Sequence, residues 1–576
     1  MAYQIVKAFI TLFISSLAAT TSAQQETQTW YGVLDVGAAK LRLQMEFSED
    51  SPGKFSGKMI SLDQGSVAVP CDTVTINDTE LTFTIKRVGA KFTGKLNATR
   101  DEAEGNFQQL GSTFPIKFAK VDKIPVQTHT QTWTGKMQAG GQEFDFQFRV
   151  FEEDKGSPTV KLDSFTEGLE GIPCTMKHEG DQITISVPIA LAPAEFIGTL
   201  SDNKETVTGK WTQRGNSYDL VLKKIPLEST RDLKRKRPQT PQPPFDYDSE
   251  DVYIENKKDN LTLAGTLTSP PGHGPFPAVV MISGSGAQDR DETIFGHKLF
   301  FVIADHLAKH GIAVLRYDDR GTAKSTGNFA DATSADFAND VEAVIDFLKT
   351  HQKVDPKRII LCGHSEGGII APMVASRRDD VAGVIMMAGP GVNGRQISVN
   401  QSKLIAEASG IPDYMIELNQ TLLRGLYERQ EKGEALDKAY LDELAAKMKQ
   451  DLPEDVRDSF EPAELIETTV KTINSKWFAF FAEYDPVPAL TKIRCPILAM
   501  VGEKDTQVDP KLNMPAIEKA LKDSGNADFE LQVLPNLNHL FQPCRTGAVA
   551  EYNLIEQTIS PAALDLITQW LEQRFK

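Results

Sequence analysis

Cysteine is scarce in this chain. Five in 576 residues cannot build a disulfide framework, and none falls in a Cys-x-x-Cys or Cys/His spacing suited to zinc. An excess of positive charge is also missing: 62 Lys and Arg stand against 79 Asp and Glu, a net charge of −17. That sign repels a phosphate backbone and excludes nucleic acid as a main partner. Beyond the first two dozen residues no apolar run approaches the roughly 18 residues of a membrane span, so no transmembrane segment is expected in the mature chain. Glycine (41) and proline (31) are unexceptional for the length, which removes collagen-like classes.

What is present is a globular composition, 40% hydrophobic and 24% charged, in a chain long enough for three or four domains of about 150 residues. The first residues carry the parts of an export signal in order: Lys7, the apolar run from Ala8 to Ala19, and the small residues Thr21, Ser22 and Ala23. Residues 1–23 are therefore expected to be a signal peptide cleaved near Ala23, which would make the mature protein secreted or periplasmic. The segment has no Cys to carry a lipoprotein anchor. Of the cysteines, Cys362 sits in an apolar strand and reads as a small buried hydrophobe. Cys495 with Cys544 is a pairing the sequence leaves open.

The region before residue 226 reads as a duplication. Thr29-Trp30-Tyr31-Gly32 returns as Thr132-Trp133-Thr134-Gly135, Cys71 as Cys174, Phe92-Thr93-Gly94 as Phe196-Ile197-Gly198, and Gly105-Asn106-Phe107 as Gly209-Lys210-Trp211. The offset stays at about a hundred residues throughout. Runs such as Phe144-Asp145-Phe146-Gln147-Phe148 alternate with the period of strands buried on one face. Two tandem antiparallel β units are expected, 24–125 and 126–225, sandwich-like or barrel-like. Their ligand is unknown, and a docking or shielding role without a ligand is the plainer expectation. Residues 226–248, with Lys234-Arg235-Lys236-Arg237 leading into Pro238-Gln239-Thr240-Pro241, read as a stiff, solvated, proline-rich and basic linker.

From 249 to 576 the pattern changes to alternating strands and helices, the mark of an α/β fold. Eight strands are expected, near 252–256, 261–268, 278–283, 312–317, 358–363, 383–388, 496–502 and 529–534. Several are continuous apolar runs, as in a mostly parallel sheet covered on both faces. Helical spacing covers 334–350, 367–377, 511–523 and 561–574, with Ser334 as an N-cap and Pro561 in a first turn.

Arg358-Ile359-Ile360-Leu361-Cys362 runs into Gly363-His364-Ser365-Glu366-Gly367-Gly368, a G-x-S-x-G motif between a strand and a helix. That context holds a serine on a strained turn with its hydroxyl presented. A serine hydroxyl needs a base within reach and an acid to orient that base. Asp505, after the strand 496–502, is the expected acid, with Glu503 and Asp509 as rivals. His539, after the last strand, is the expected base. The oxyanion would be held by the backbone N–H groups of Glu366 and of Ser285, the latter in the loop Ser283-Gly284-Ser285-Gly286. Asp289 at the third glycine position of that loop rules out a dinucleotide fingerprint.

These motifs, with Gln288-Asp289-Arg290-Asp291-Glu292, Tyr317-Asp318-Asp319-Arg320-Gly321, Gly502-Glu503-Lys504-Asp505 and Asn538-His539-Leu540-Phe541, resemble the α/β-hydrolase superfamily, and within it secreted bacterial esterases of the EstD type. The resemblance implies carboxylesterase activity on small acyl esters. Ser283 stands where many relatives have His, so the bonds shaping the oxyanion loop should differ, while Ala323, where Gly is usual, is expected to be neutral. About a hundred residues between strands, 391–490, look helical and are expected to form a cap, with the aromatic cluster Trp477-Phe478-Ala479-Phe480-Phe481 as its contact or its acyl pocket.

The expectation is a multidomain, exported serine esterase that needs no metal or cofactor and acts on a small-molecule ester. One alternative is a serine aminopeptidase on the same fold, with Glu483 and Asp485 for a free amino terminus. Another is a binding protein with an incidental hydrolase domain. A dienelactone-hydrolase-like reading is weaker, because those enzymes use Cys at the elbow.

Overall fold

The computed structural model describes residues 28–576 except 36–39, 52, 63–67, 86–88, 110–111, 123–128, 140–141, 152–158, 167–168, 188–193, 214–215, 232–235 and 458–461. The expected signal peptide and its residues Lys7 to Ala23, and Lys234 and Arg235 of the basic run, lie outside the described residues. The chain divides into two units, Ser22–Lys234 and Arg235–Lys576.

In the first unit the period-two alternation produces antiparallel sheets. Eight strands from Gln131–Ala139 to Asn216–Ile225 pair in chain order, and the first also pairs with the last, closing a barrel. Alternate side chains point inward: Ile183, Ile185 and Val187 are buried, while Gln182, Thr184 and Ser186 between them are more exposed. Eight strands leave an interior just wide enough for side chains to fill. Here it is filled by Trp133, Phe146, Phe148, Phe196 and Trp211, with Phe146 stacked on Trp211 at 5.0 Å.

The preceding nine-stranded sheet has Ala68–Pro70 at one edge and Thr73–Ile76 at the other. Only Cys71 and Asp72 separate these strands, and their N–H groups donate to Gly57 O and Thr84 O. In the barrel the corresponding stretch around Cys174 is one unbroken strand, Leu169–Glu179. Gly94 opposes Gly105 as Gly198 opposes Gly209, and Phe92 opposes Phe107 as Phe196 opposes Trp211. A Cβ on Gly105 or Gly209 would run into the carbonyl of the facing strand, so glycine marks the same close approach twice.

The segment read as a solvated linker is packed at both ends. Leu227–Ser229 form a 3-10 turn. Next to it the Arg231 N–H donates to Gln147 Oε1, its carbonyl accepts from Gln147 Nε2, and its guanidinium forks onto Asp145. Further on, Arg237 donates to the carbonyls of Phe295, Asn553 and Ile555. Gln239 accepts from Thr558 and Ile559 N–H, and Phe245 stacks on Tyr247. Proline keeps the strip out of regular structure, but the polar side chains satisfy loop backbone groups that have no ladder partner.

The second unit is built on eight strands: β1 Asp248–Asn256, β2 Leu261–Ser269, β3 Phe276–Ile282, β4 Ala313–Tyr317, β5 Val354–His364, β6 Gly383–Met387, β7 Ile497–Gly502 and β8 Phe529–Leu534. Their order is β1-β2-β4-β3-β5-β6-β7-β8. β2 is antiparallel to both neighbours and every other pairing is parallel. Before β6 come helices α1 Leu299–Lys309, α2 Ser334–Leu348 and α3 Gly367–Ala375.

Between β6 and β7 lie α4 Gly394–Ala408, α5 Asp413–Glu431, α6 Lys438–Gln450, α7 Glu454–Arg457, α8 Pro462–Ile473, α9 Lys476–Glu483 and α10 Val487–Leu490. α11 Pro510–Asp523 and α12 Pro561–Phe575 complete the unit. Val279, Val280, Leu315, Ile360 and Leu498 form a continuous core with residues of these helices, such as Ile303, Val341 and Leu571.

α1 was not marked by helical spacing. Its sequence is apolar nearly throughout, seven of its residues are buried, and a short continuous apolar run reads equally as a buried strand. The N-cap of α2 is Thr333 rather than the expected Ser334; Thr333 N–H donates to Asp336 Oδ2. Ser334 is the first helical residue and its hydroxyl serves elsewhere. All five cysteines are free, Cys495 and Cys544 included. Among the described residues, no helix is long and apolar enough to cross a membrane.

Candidate active site

β5 ends at His364 and α3 begins at Gly367, leaving two residues for the turn. Ser365 takes φ 53°, a left-handed conformation that costs a non-glycine residue roughly 1–3 kcal/mol. Its N–H donates to Met387 O at the end of β6, 2.9 Å away. The turn closes only without side chains around it. A Cβ on Gly363 would strike the Gly367 backbone, and one on Gly367 would strike Ile282 O.

His539 lies in the loop after β8, with Nδ1 2.8 Å from Asp505 Oδ2. Asp505 is buried, and its Oδ1 accepts the N–H groups of Gln507 and Val508, both at 2.8 Å. The two rival carboxylates have local tasks: Glu503 accepts from Asn536 N–H, and Asp509 caps α11 through Lys511 N–H. The base loop meets the elbow through His364. Its Nε2 is 3.0 Å from His539 O, and the two rings lie 4.8 Å apart.

Glu366 is the N-cap of α3, where the N–H groups lack intrahelical partners and the helix dipole is positive. The loop carrying Ser285 is held by two buried carboxylates. Ser283 Oγ donates to Asp319 Oδ1 at 2.6 Å and Gln288 N–H to Asp319 Oδ2 at 2.9 Å. Gly284 N–H donates to Glu292 Oε1 at 2.7 Å. Burial pushes the Asp319 carboxyl well above its ordinary range. The Ser283 hydroxyl therefore anchors the loop at the position where the resemblance pointed to an altered bond.

Sequence reasoning assigned no task to the side chain of Glu366. It is buried, and its Oε1 accepts from Ser334 Oγ at 2.5 Å and from Trp477 Nε1–H at 2.9 Å. Burial raises the pKa of the Glu366 carboxyl despite these bonds. Trp477, on α9, stacks on Phe481 at 5.3 Å and joins Ile369 and Ile397 in one apolar cluster. The aromatic run was visible; an indole N–H in such a run, needing a partner once buried, was the available signal for its reach to the elbow. Glu483 and Asp485 do not converge on the serine turn as a free pair: Glu483 is 74% exposed and pairs with Arg395, and Asp485 accepts from Val487 N–H.

Residues 297–542 match the serine aminopeptidase family S33. Esterase EstD of Thermotoga maritima is 27% identical over 329 residues, 57% of this chain and 68% of that protein. A thiohydrolase of Arthrinium phaeospermum, apmlB, is 36% identical over 118 residues, 20% of this chain and 36% of that protein. Among solved structures, the Pyrococcus furiosus esterase Pf2001 is 18% identical, with 57% of this chain and 94% of that one covered at a TM-score of 0.34. Est1E of Butyrivibrio proteoclasticus, bound to ferulic acid, is 17% identical, with 56% and 98% covered at 0.35. The family match over residues 297–542 and the similarity to EstD identify this protein as a hydrolase that carries an α/β-hydrolase domain.

Proposed function

We propose that the protein is an exported serine carboxylesterase acting on short- to medium-chain acyl esters, with Ser365, His539 and Asp505 as its triad. The observation that carries the reading is the buried Asp505–His539 pair at 2.8 Å, held by the His539 carbonyl against the residue preceding Ser365. Ser365 Oγ attacks the ester carbonyl while His539 Nε2 takes its proton, and Asp505 keeps the imidazole proton on Nδ1. The Glu366 and Ser285 N–H groups receive the oxyanion, each lowering the barrier by about 3 kcal/mol. His539 then returns the proton to the leaving alcohol. Water, deprotonated by the same imidazole, releases the acid and frees Ser365.

In this reading 391–490 is a cap, and Trp477, Phe481, Ile369 and Ile397 border the acyl group. Residues 1–23 are the export signal, and the two β units of 24–225 are tandem copies that dock or shield without catalysing. The aminopeptidase reading takes support from the name of the matched family but needs a carboxylate for a free amino terminus. The carboxylates considered for that task are exposed and engaged elsewhere. Turnover of a chain-length series of aryl esters beside amino-acid anilides, for wild type and Ser365→Ala, tests the proposal. Ester cleavage lost in the variant supports it; anilide cleavage alone replaces it with the aminopeptidase.

A further inference from the structure

One buried pair beside the triad has no assigned task. Glu292 is 0% exposed, and its Oε1 accepts Gly284 N–H at 2.7 Å while lying 2.9 Å from His364 Nδ1. The other nitrogen of that ring is 3.0 Å from His539 O. A single chain of bonds thus runs from the oxyanion loop through Glu292 and His364, the residue before the serine, to the base loop. Because Nε2 faces a carbonyl it carries a proton, and one further proton lies between Nδ1 and Oε1.

Packing alone does not account for this arrangement. Glu292 sits at φ 47°, in the left-handed region that disfavours non-glycine residues. Its second oxygen is buried without a partner. A half-satisfied buried carboxyl costs stability, and apolar groups of the same volume are often at least as stable there. The feature it does provide is a fixed register among three loops that arise from different strand ends.

We infer that Glu292 and His364 are positioning residues that hold the Gly284–Ser285 loop, Ser365 and His539 in one catalytic register. The inference rests on the esterase reading above. Glutamine cannot replace Glu292 in this geometry. With its oxygen at the Oε1 position it requires a charged His364 with no counter-charge; with its amide nitrogen there it opposes the Gly284 N–H.

The test is turnover per active site, with competent serines counted by stoichiometric fluorophosphonate burst. This separates positioning from loss of folded protein. For Glu292→Gln, kcat per titrated site on an aryl ester should fall by about 10- to 100-fold, the order expected when an oxyanion donor is misplaced. KM should hold while the Ki of a trifluoromethyl ketone, which mimics the tetrahedral adduct, rises in proportion. His364→Gln, which retains a donor near the Nε2 position, and His364→Asn, which retains one near Nδ1, should each lose part of the rate. The double variant Glu292→Gln/His364→Gln should lose no more than its worse single variant, since both act through one chain of bonds.

A kcat per site close to wild type, or losses that multiply in the double variant, would overturn the inference. If Glu292→Gln fails to fold, the two His364 variants decide by the same criteria. Ester turnover that survives Ser365→Ala would instead overturn the underlying reading of Ser365 as the nucleophile.

Discussion

Asp505→Asn is the substitution whose consequence the geometry dictates most fully. Asp505 Oδ1 accepts two backbone N–H groups, from Gln507 and Val508, and Oδ2 faces His539 Nδ1. Asparagine has one acceptor oxygen, and two donors at the first position demand it there. The NH2 group is then turned toward His539 and donates to Nδ1, so the imidazole proton moves to Nε2. A ring with Nε2 protonated cannot accept the Ser365 proton. An equivalent tautomer error in a serine protease costs about 10⁴ in kcat, or about 5.5 kcal/mol at roughly 1.4 kcal/mol per tenfold. The fold should tolerate the change, because both backbone donors keep their acceptor. The assay is kcat for an aryl ester at neutral pH beside a thermal melt. A variant that keeps more than about a tenth of wild-type turnover, against the expected 10⁴-fold loss, would refute Asp505 as the orienting acid.

Trp477→Phe removes the indole N–H from the buried Glu366 carboxylate and should cost about 1–3 kcal/mol in the melt. It should also shift the acyl-chain optimum, and an unchanged optimum would remove Trp477 from the acyl site. Glu366→Gln bears on the raised Glu366 pKa. An acid held above its ordinary value is favoured protonated in the folded state, so native stability falls as pH rises from the ordinary carboxylate range to the raised value. Glutamine has no such proton to lose and can still accept from Ser334 and Trp477. The Tm of the variant relative to wild type should therefore increase as pH rises above the ordinary carboxylate range, and a constant difference would contradict the burial argument. Gly367→Ala drives a Cβ into Ile282 O and should lower turnover by about 100-fold, as a misplacement near 1 Å does; normal turnover would show that the elbow can relax.

The parts legible in the sequence are those written locally. β3 and β7 are short apolar runs of buried-strand character, and the elbow is a contiguous motif in which Gly363 is required by its contact with the Gly367 backbone one turn away. That His539 and Asp505 would meet was within reach of the sequence because each follows a recognisable strand. The parts that were not legible are pairings between distant residues. Trp477 and Glu366 are 111 positions apart, Glu292 and His364 are 72 apart, and Arg237 reaches Ile555 across 318. No periodicity encodes these contacts. Composition marked the proline-rich segment as irregular and largely exposed, but not the bonds by which its side chains satisfy the loops it crosses. The α2 cap slipped by one residue because Thr333 and Ser334 are both good caps, and only the position of Glu366 gives the Ser334 hydroxyl a different partner.

Ser365 as the nucleophile of an ester hydrolase is open to a direct test. Reaction of the intact protein with a fluorophosphonate, read by mass and by peptide mapping, addresses it without knowledge of the natural substrate. One adduct is expected, on Ser365, with loss of aryl-ester turnover in step with labelling and no adduct on Ser365→Ala. Labelling at another residue, or ester turnover that persists once Ser365 is fully modified, would contradict it.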